Sequence, residues 1–239
     1  ICAQVARPVF DPNRRMPLHY FANADTYMIH TFTNGGMTLR WFRDKFCQIE
    51  MQAQELGLDD AYNMISKEVS KVPAGSDGLV MLPHLAGSNA PDVNAKAKGV
   101  WFGFTLQHTR AHFMRSVMES LGYIVKRNID SLADMGIEVK EIRSLGGGSK
   151  SDVWNQIKSD ICQIPLETVN SIEAASLGAA ILAGKATGIF KNLNEAAESM
   201  VQVKKRTLPN TGNKTVYEDG YEMYRKLFGD LDQCFKKSI

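Results

Sequence analysis

The sequence predicts an α/β layer architecture, with a sheet covered by helices. Three observations carry that class. The first 33 residues are strand-rich, and 26-TYMIHTFT-33 alternates as a half-buried strand does. A long amphipathic helix is predicted from about Thr109 to Met135. From residue 137 onward strand and helix alternate, with three glycines at the first junction.

In order, residues 1–6 and 18–22 are strand-like, and Asn34-Gly35-Gly36 ends the third strand. Helix 37–47 follows, with Leu39, Phe42 and Phe46 on one apolar stripe. Residues 49–71 are a more polar helical region ending at Pro73, and 48–76 reads as a helical insertion within the domain. The segment 73-PAGSDG-78 has turn composition. A strand is predicted at 79–85, a Gly-, Asn- and Pro-rich loop at 86–98, and another strand from Gly99. After the long helix, 137–145 is a strand with Ile137, Val139, Ile142 and Leu145 roughly alternate. Helix 152–163 stops before Pro165, a short strand spans 166–169, and 174–186 is a helix of small residues. Helical segments at 192–200 and 215–236 close the chain.

The 239 residues, 44% hydrophobic and 23% charged, suffice for a core without metal or disulfide staples. A net charge of +2 gives no reason to expect nucleic acid or an anionic membrane as partner. The four cysteines are scattered, without metal-ligand spacing, as for free thiols in a reducing cytosol; a cytoplasmic location follows as an expectation. No apolar run approaches the roughly 20 residues of a membrane span. The opening ICAQVARPVF has neither an initiating Met nor a signal-peptide layout, so the chain is expected to be a piece of a longer protein.

The stretch 144-SLGGGSKSDVW-154 raises a sharper question. A P-loop needs glycine directly before its lysine, and Ser149 separates Gly148 from Lys150. A dinucleotide fingerprint needs spaced glycines, and Gly146, Gly147 and Gly148 are contiguous. Both motifs fail. What remains is strand, glycine turn and helix start, which admits a ring or phosphate to the backbone. A plain tight turn has the same pattern, so both readings stand. Ser149 or Ser151 suits the helix cap, and Asp152 its first turn.

The segment 99-GVWFGFTLQHTRAHFMRSVME-119 resembles the signature of the FGGY carbohydrate kinases. Gly99, Trp101, Gly103, His112, Phe113, Ser116, Val117 and Glu119 fall on that pattern; Phe104, where an aliphatic is usual, departs from it. Three more blocks agree in order: 34-NGGMTLRWFRD-44, LGGGSKSDVWNQIKSDI and 173-EAASLGAAILAG-184. The resemblance implies the C-terminal domain of a ribonuclease-H-like fold of the actin/hexokinase/Hsp70 type, occupying 1–239 as one unit. ATP would lie between it and an N-terminal sugar-binding, catalytic domain that this chain does not contain. The block 30-HTFTNGGMTLRWFRDKF-46 looks most like xylulokinases and their close relatives. Where many of those read Gly-Glu-Arg-x-Pro, this chain has Gly87-Ser88-Asn89-Ala90-Pro91, which points to a divergent subgroup or another polyol or ketose.

By resemblance, Gly146, Gly147 and Gly148 let adenosine and the α-phosphate lie against the backbone, and Gly36 and Arg40 flank the nucleotide on another helix. Ser151 falls where some relatives carry an adenine-contacting Asn; its shorter hydroxyl reaches the ring only through water or altered geometry. The family's catalytic base and Mg²⁺ ligands belong mainly to the other domain, so no catalytic or metal residue is assigned here. Implied partners are ATP, a small sugar and the N-terminal domain, with a homodimer open for the intact enzyme. The rivals are a kinase for gluconate, fuculose or glycerol, and a non-catalytic nucleotide-sensing module. Lys150 and 204-KKR-206 read as solvated, His84, His108 and His112 as packing or capping residues, and Trp41 and Trp101 as core.

Overall fold

The computed structural model describes residues 1–33, 35–171 and 173–237. Asn34, part of the expected chain break, lies outside the described residues. Strands β1 (Cys2–Val5), β2 (Leu18–Tyr20) and β3 (Tyr27–His30) form an antiparallel sheet in the order β1-β3-β2. Ile29 faces Ala3 on one side and Leu18 on the other. It anchors a small buried cluster with Met16 and Leu132.

Helices α1 (Gly35–Phe46), α2 (Gln48–Glu55) and α3 (Ala61–Val69) follow. The single helical region expected at 49–71 is thus two helices. Gly57 takes a φ of +73°, a conformation that ends a helix, and Asp60 starts the next by accepting the Tyr62 and Asn63 N–H groups. Ala61, Ile65 and Val69 recur every four residues and bury one face of α3.

Strands β4 (Val80–Pro83) and β5 (Gly99–Phe102) make an antiparallel pair, and α4 (Arg110–Asp134) packs against β4. Thr109 opens α4, its N–H donating to His112 Nδ1 at 3.1 Å. His108 Nδ1 similarly accepts from the Thr105 N–H, so both histidines serve local capping. Spacing along the chain offered His112 no acid, but its Nε2 lies 3.1 Å from Asp77.

The remaining elements are β6 (Ile142–Ser144), α5 (Asp152–Cys162), β7 (Leu166–Val169), α6 (Ala174–Ala186), α7 (Leu193–Met200), β8 (Val203–Thr207), α8 (Lys214–Asp230) and α9 (Asp232–Lys237). β6 and β7 are parallel and β8 is antiparallel to β7, so this sheet is mixed. Strand β8 contains Lys204, Lys205 and Arg206, which the sequence reads only as a solvated patch. They are solvated, but on a paired edge strand whose charges discourage further pairing. Four successive residues of it, Val203 to Arg206, are exposed, so it carries no alternation by which to read a strand. Helix α6 departs differently. Its small residues suggested close packing, yet among the described residues it buries only Gly184 and packs against α7.

The main core is built around α4. Its Met114, Val117, Met118 and Leu121 meet Phe42 of α1, Ile65 and Val69 of α3, Met81 and Leu82 of β4, and Ile157 and Ile161 of α5. Trp41 and Trp101 stack at 6.1 Å on the edge of this core, half-buried. All four cysteines are free, Cys47 and Cys162 buried, Cys2 and Cys234 exposed.

Beside Phe228 and Tyr224 sits His84, 5% exposed. Burial pushes its pKa down to about 4, with Asp92 pulling weakly the other way. The folded protein therefore resists a proton that the unfolded chain takes up near pH 6.5. Its stabilising effect is complete above that pH and is lost as pH falls toward 4. Between pH 6.5 and 5 the expected loss is about 1.5 kcal/mol. Urea titrations at both pH values should show that slope in the wild type and a flatter one in His84→Asn; equal slopes would refute the assignment.

Candidate nucleotide site

The three glycines after β6 have three different physical reasons. Gly146 adopts φ +75°, ψ −170°, a region that only glycine enters readily. A Cβ on Gly148 would lie 2.6 Å from Cζ3 of Trp154, so glycine there permits packing within the protein. Gly147 is different again, because a Cβ would meet no protein atom within 4 Å. Its position is open, as is that of Gly146.

The turn is held rigid from below. Ser149 Oγ donates to the Gly146 carbonyl at 2.7 Å, and Asn155 Nδ2 donates to the Ser149 carbonyl at 2.7 Å. The Trp154 indole Nε1–H donates to the Met118 carbonyl of α4 at 3.2 Å. Lys158 lies over the Trp154 ring and donates to Ser144 Oγ at 2.8 Å. Burial lowers its pKa to about 8. Lys150 is exposed at the turn's outer edge.

Ser151 is the N-cap of α5, its Oγ accepting the Trp154 N–H at 3.2 Å. The following first turn carries Asp152, paired with Lys205 of β8 at 2.8 Å. Ser151 Oγ also lies 3.0 Å from Ser66 Oγ of α3. Sequence reasoning did not single out Ser66. Nor did it single out Tyr62, one helical turn earlier, whose ring carries the Arg43 guanidinium of α1 at 4.8 Å. The only available signal was the spacing of four between Tyr62 and Ser66 in a region read as polar helix.

Gly146 and Gly147 thus leave the turn's surface open, Gly148 is pressed on Trp154, and Ser151 follows as the cap of α5. Gly36 and Arg40 stand on an exposed face of α1, and a Cβ on Gly36 would meet nothing within 4 Å. No hydrogen bond or ion pair joins those two residues to the turn among the described residues. The link between the two helices runs through α3, by Arg43 to Tyr62 and Ser66 to Ser151.

Such a surface suits a flat ring or an anion. The amides at the start of α5 lack intrahelical partners and attract negative charge. Among the described residues, no three His, Cys, Asp or Glu side chains converge as a metal site. No helix among them is long and apolar enough to cross a membrane.

The mixed sheet flanked by helices superposes on solved carbohydrate kinases, and the chain shares their ribonuclease-H-like ATPase-type fold. The model for the FGGY family of carbohydrate kinases, C-terminal domain, matches residues 5–187, and the chain belongs to that family. It is 32% identical over 219 residues to a xylulose kinase of Staphylococcus epidermidis, covering 90% of this chain and 42% of the relative. To a gluconokinase of Bacillus subtilis it is 35% identical over 196 residues, or 81% of this chain and 36% of that protein. The ligand-bound crystal structure of xylulose kinase from Lactobacillus acidophilus superposes with a TM-score of 0.85 at 25% identity. That superposition covers 99% of this chain and 46% of the solved one. The chain thus spans less than half the length of these relatives.

Proposed function

We propose that this chain is the nucleotide-binding part of an ATP-dependent sugar kinase acting on a ketopentose such as xylulose. The observation that carries the nucleotide role is the rigid turn left open over Gly146 and Gly147 at the start of α5. Gly147 gives close approach to the backbone, the α5 amides face the phosphates, and Ser151 sits at the rim. Gly36 and Arg40 would flank the nucleotide from α1, Arg40 by stacking or donating hydrogen bonds. Bound Mg²⁺–ATP supplies the phosphoryl group with part of its charge neutralised. We assign the metal ligands and the base that activates the sugar hydroxyl to an N-terminal domain, in a cytosolic enzyme.

Gluconate is the second substrate reading. It is favoured by the gluconokinase relative and by Ser88-Asn89, where many xylulokinases carry Glu-Arg. A panel of xylulose, gluconate and glycerol on the full-length gene product separates the two.

For the 239-residue chain itself, no sugar-dependent release of ADP is expected, together with weak ADP binding centred on the glycine turn. Amide shift perturbation with increasing ADP reads the binding, and a coupled assay reads the chemistry. Robust phosphorylation by this chain overturns the division of labour; unmoved amides at 146–152 overturn the nucleotide site.

A further inference from the structure

We propose that the free edge of β5 and the aromatic surface beside it form an interface with a second copy of this chain. Strand β4 is buried along its whole length, whereas β5 lies at the surface with β4 as its strand partner. Among the described residues, no backbone hydrogen bond ties Gly99–Phe102 to anything but β4. Proteins guard such edges with charge, as β8 does with Lys204, Lys205 and Arg206. Strand β5 reads Gly-Val-Trp-Phe, with neither charge nor proline. An edge of this kind pairs antiparallel with its own copy about a two-fold axis, each strand presenting the same groups to the other. Lys98, the residue before β5, does not oppose that pairing. With the axis at Val100 or Trp101, the two Lys98 residues stand about 14–20 Å apart at 3.4 Å per residue. That exceeds the roughly 8–10 Å over which salt leaves exposed charges in contact.

Beside the edge, aromatic rings run unbroken from α1 to the first turn of α4. Phe46 meets Trp41 at 5.3 Å, and Trp41 meets Trp101 at 6.1 Å. Trp101 meets Phe113 at 5.5 Å, and Phe113 meets Phe104 at 5.7 Å. Phe46, Phe104 and, on the other face of β5, Phe102 are each about half exposed. At about 200 Å² per aromatic side chain, these three leave on the order of 300 Å² of apolar surface. Leu106 is wholly exposed, in a turn closed by the Thr105 N–H donating to His108 Nδ1 at 2.9 Å. With it and the half-buried rings, the apolar surface is on the order of 500 Å², more than a monomer usually shows. It matches the apolar share of the roughly 800 Å² that each partner gives to a standard interface. Trp41, Trp101 and Phe113 are already packed on the core, so the surface needs little ordering to bind.

Analytical ultracentrifugation of the full-length gene product over a concentration series tests this, and a dimer is expected. Phe102→Lys and Leu106→Glu change exposed side chains, so both variants should melt as wild type does. Each should raise the dimer dissociation constant at least about thirtyfold. Ile189→Glu, at an exposed apolar residue outside this surface, should leave the constant unchanged. Hydrogen exchange separates edge pairing from ring contact alone. The amides of Gly99–Phe102 should gain protection as wild-type concentration rises, and gain none in Phe102→Lys. A dimer that survives both substitutions, or that gives those amides no protection, overturns the inference. So does a full-length protein that stays monomeric, even where the 239-residue chain dimerises alone, because the rest of the protein would then cover the surface.

Discussion

Glu119→Ala should lower the unfolding free energy by about 3–5 kcal/mol, the range for breaking a buried ion pair from one side. The Glu119 carboxyl is 1% exposed and receives three donors: the Gly75 N–H at 2.9 Å, Ser76 Oγ at 2.7 Å and Arg115 Nε at 2.8 Å. Burial raises its pKa, against the pull of Arg115. Removing it strands the Arg115 guanidinium, itself 7% exposed, beside Tyr217 and the end of α3. It also releases the turn from Gly75 to Gly78, in which Gly75, Ser76, Asp77 and Gly78 all have positive φ. Ser76 and Asp77 are not glycine, and such backbone persists only where the surroundings enforce it. For a chain of this size the loss corresponds to a fall in Tm of roughly 10 °C. Glu119→Gln, which keeps an acceptor oxygen, should lose less. A thermal scan in which Glu119→Ala melts within 2 °C of wild type, about what 1 kcal/mol gives, would discount the network.

Gly147→Val and Gly148→Ala should fail in opposite ways. Gly147→Val adds atoms where the protein has none, so stability should change by no more than about 0.5 kcal/mol. The same atoms occupy the nucleotide's place against the backbone, and ADP affinity should drop roughly ten- to a hundredfold. Gly148→Ala pushes on Trp154, which is 7% exposed and tied to Met118 by its indole N–H. That ring cannot move aside without breaking the bond, so about 1–3 kcal/mol of stability should go. Melting curves and ADP titrations on both variants read the contrast. Wild-type ADP affinity in a well-folded Gly147→Val would remove the glycine turn from the binding surface.

Much of the architecture was legible because its elements follow simple periods. Leu39 and Phe42 and the apolar face of the long α4 are spaced as helices require, although Phe46, read on the same stripe, ends α1 exposed against the Trp41 ring. Strand β8 was not legible, because Lys204, Lys205 and Arg206 on an edge need no apolar partner face. At the site, contiguous glycines marked the turn, and the cap was readable as Ser149 or Ser151; the structure gives it to Ser151, while Ser149 Oγ donates to the Gly146 carbonyl. What each glycine does was not readable. Only coordinates separate Gly148, pressed on Trp154, from Gly147, which faces nothing. The contact of Ser66 with Ser151 joins distant parts of the chain, and no local pattern encodes it.

Helix α4 has 25 residues and so runs about 37 Å. Its first half lies in the large core, while Leu132 near its end serves the small cluster with Met16 and Ile29. The two ends of one rod are therefore unequally anchored. Met16, Ile29 and Leu132 are the buried members of the cluster under the first sheet, with Ala3, Val5 and Leu18 partly buried against them. Thr31 Oγ1 also donates to Asn128 Oδ1 of α4 at 2.6 Å. So small a core is expected to open at a lower free energy than the larger one. The glycine turn, Ser66 and the Arg115–Glu119 pair all belong to the larger unit. Fraying at the β1–β3 end would leave the proposed nucleotide face standing.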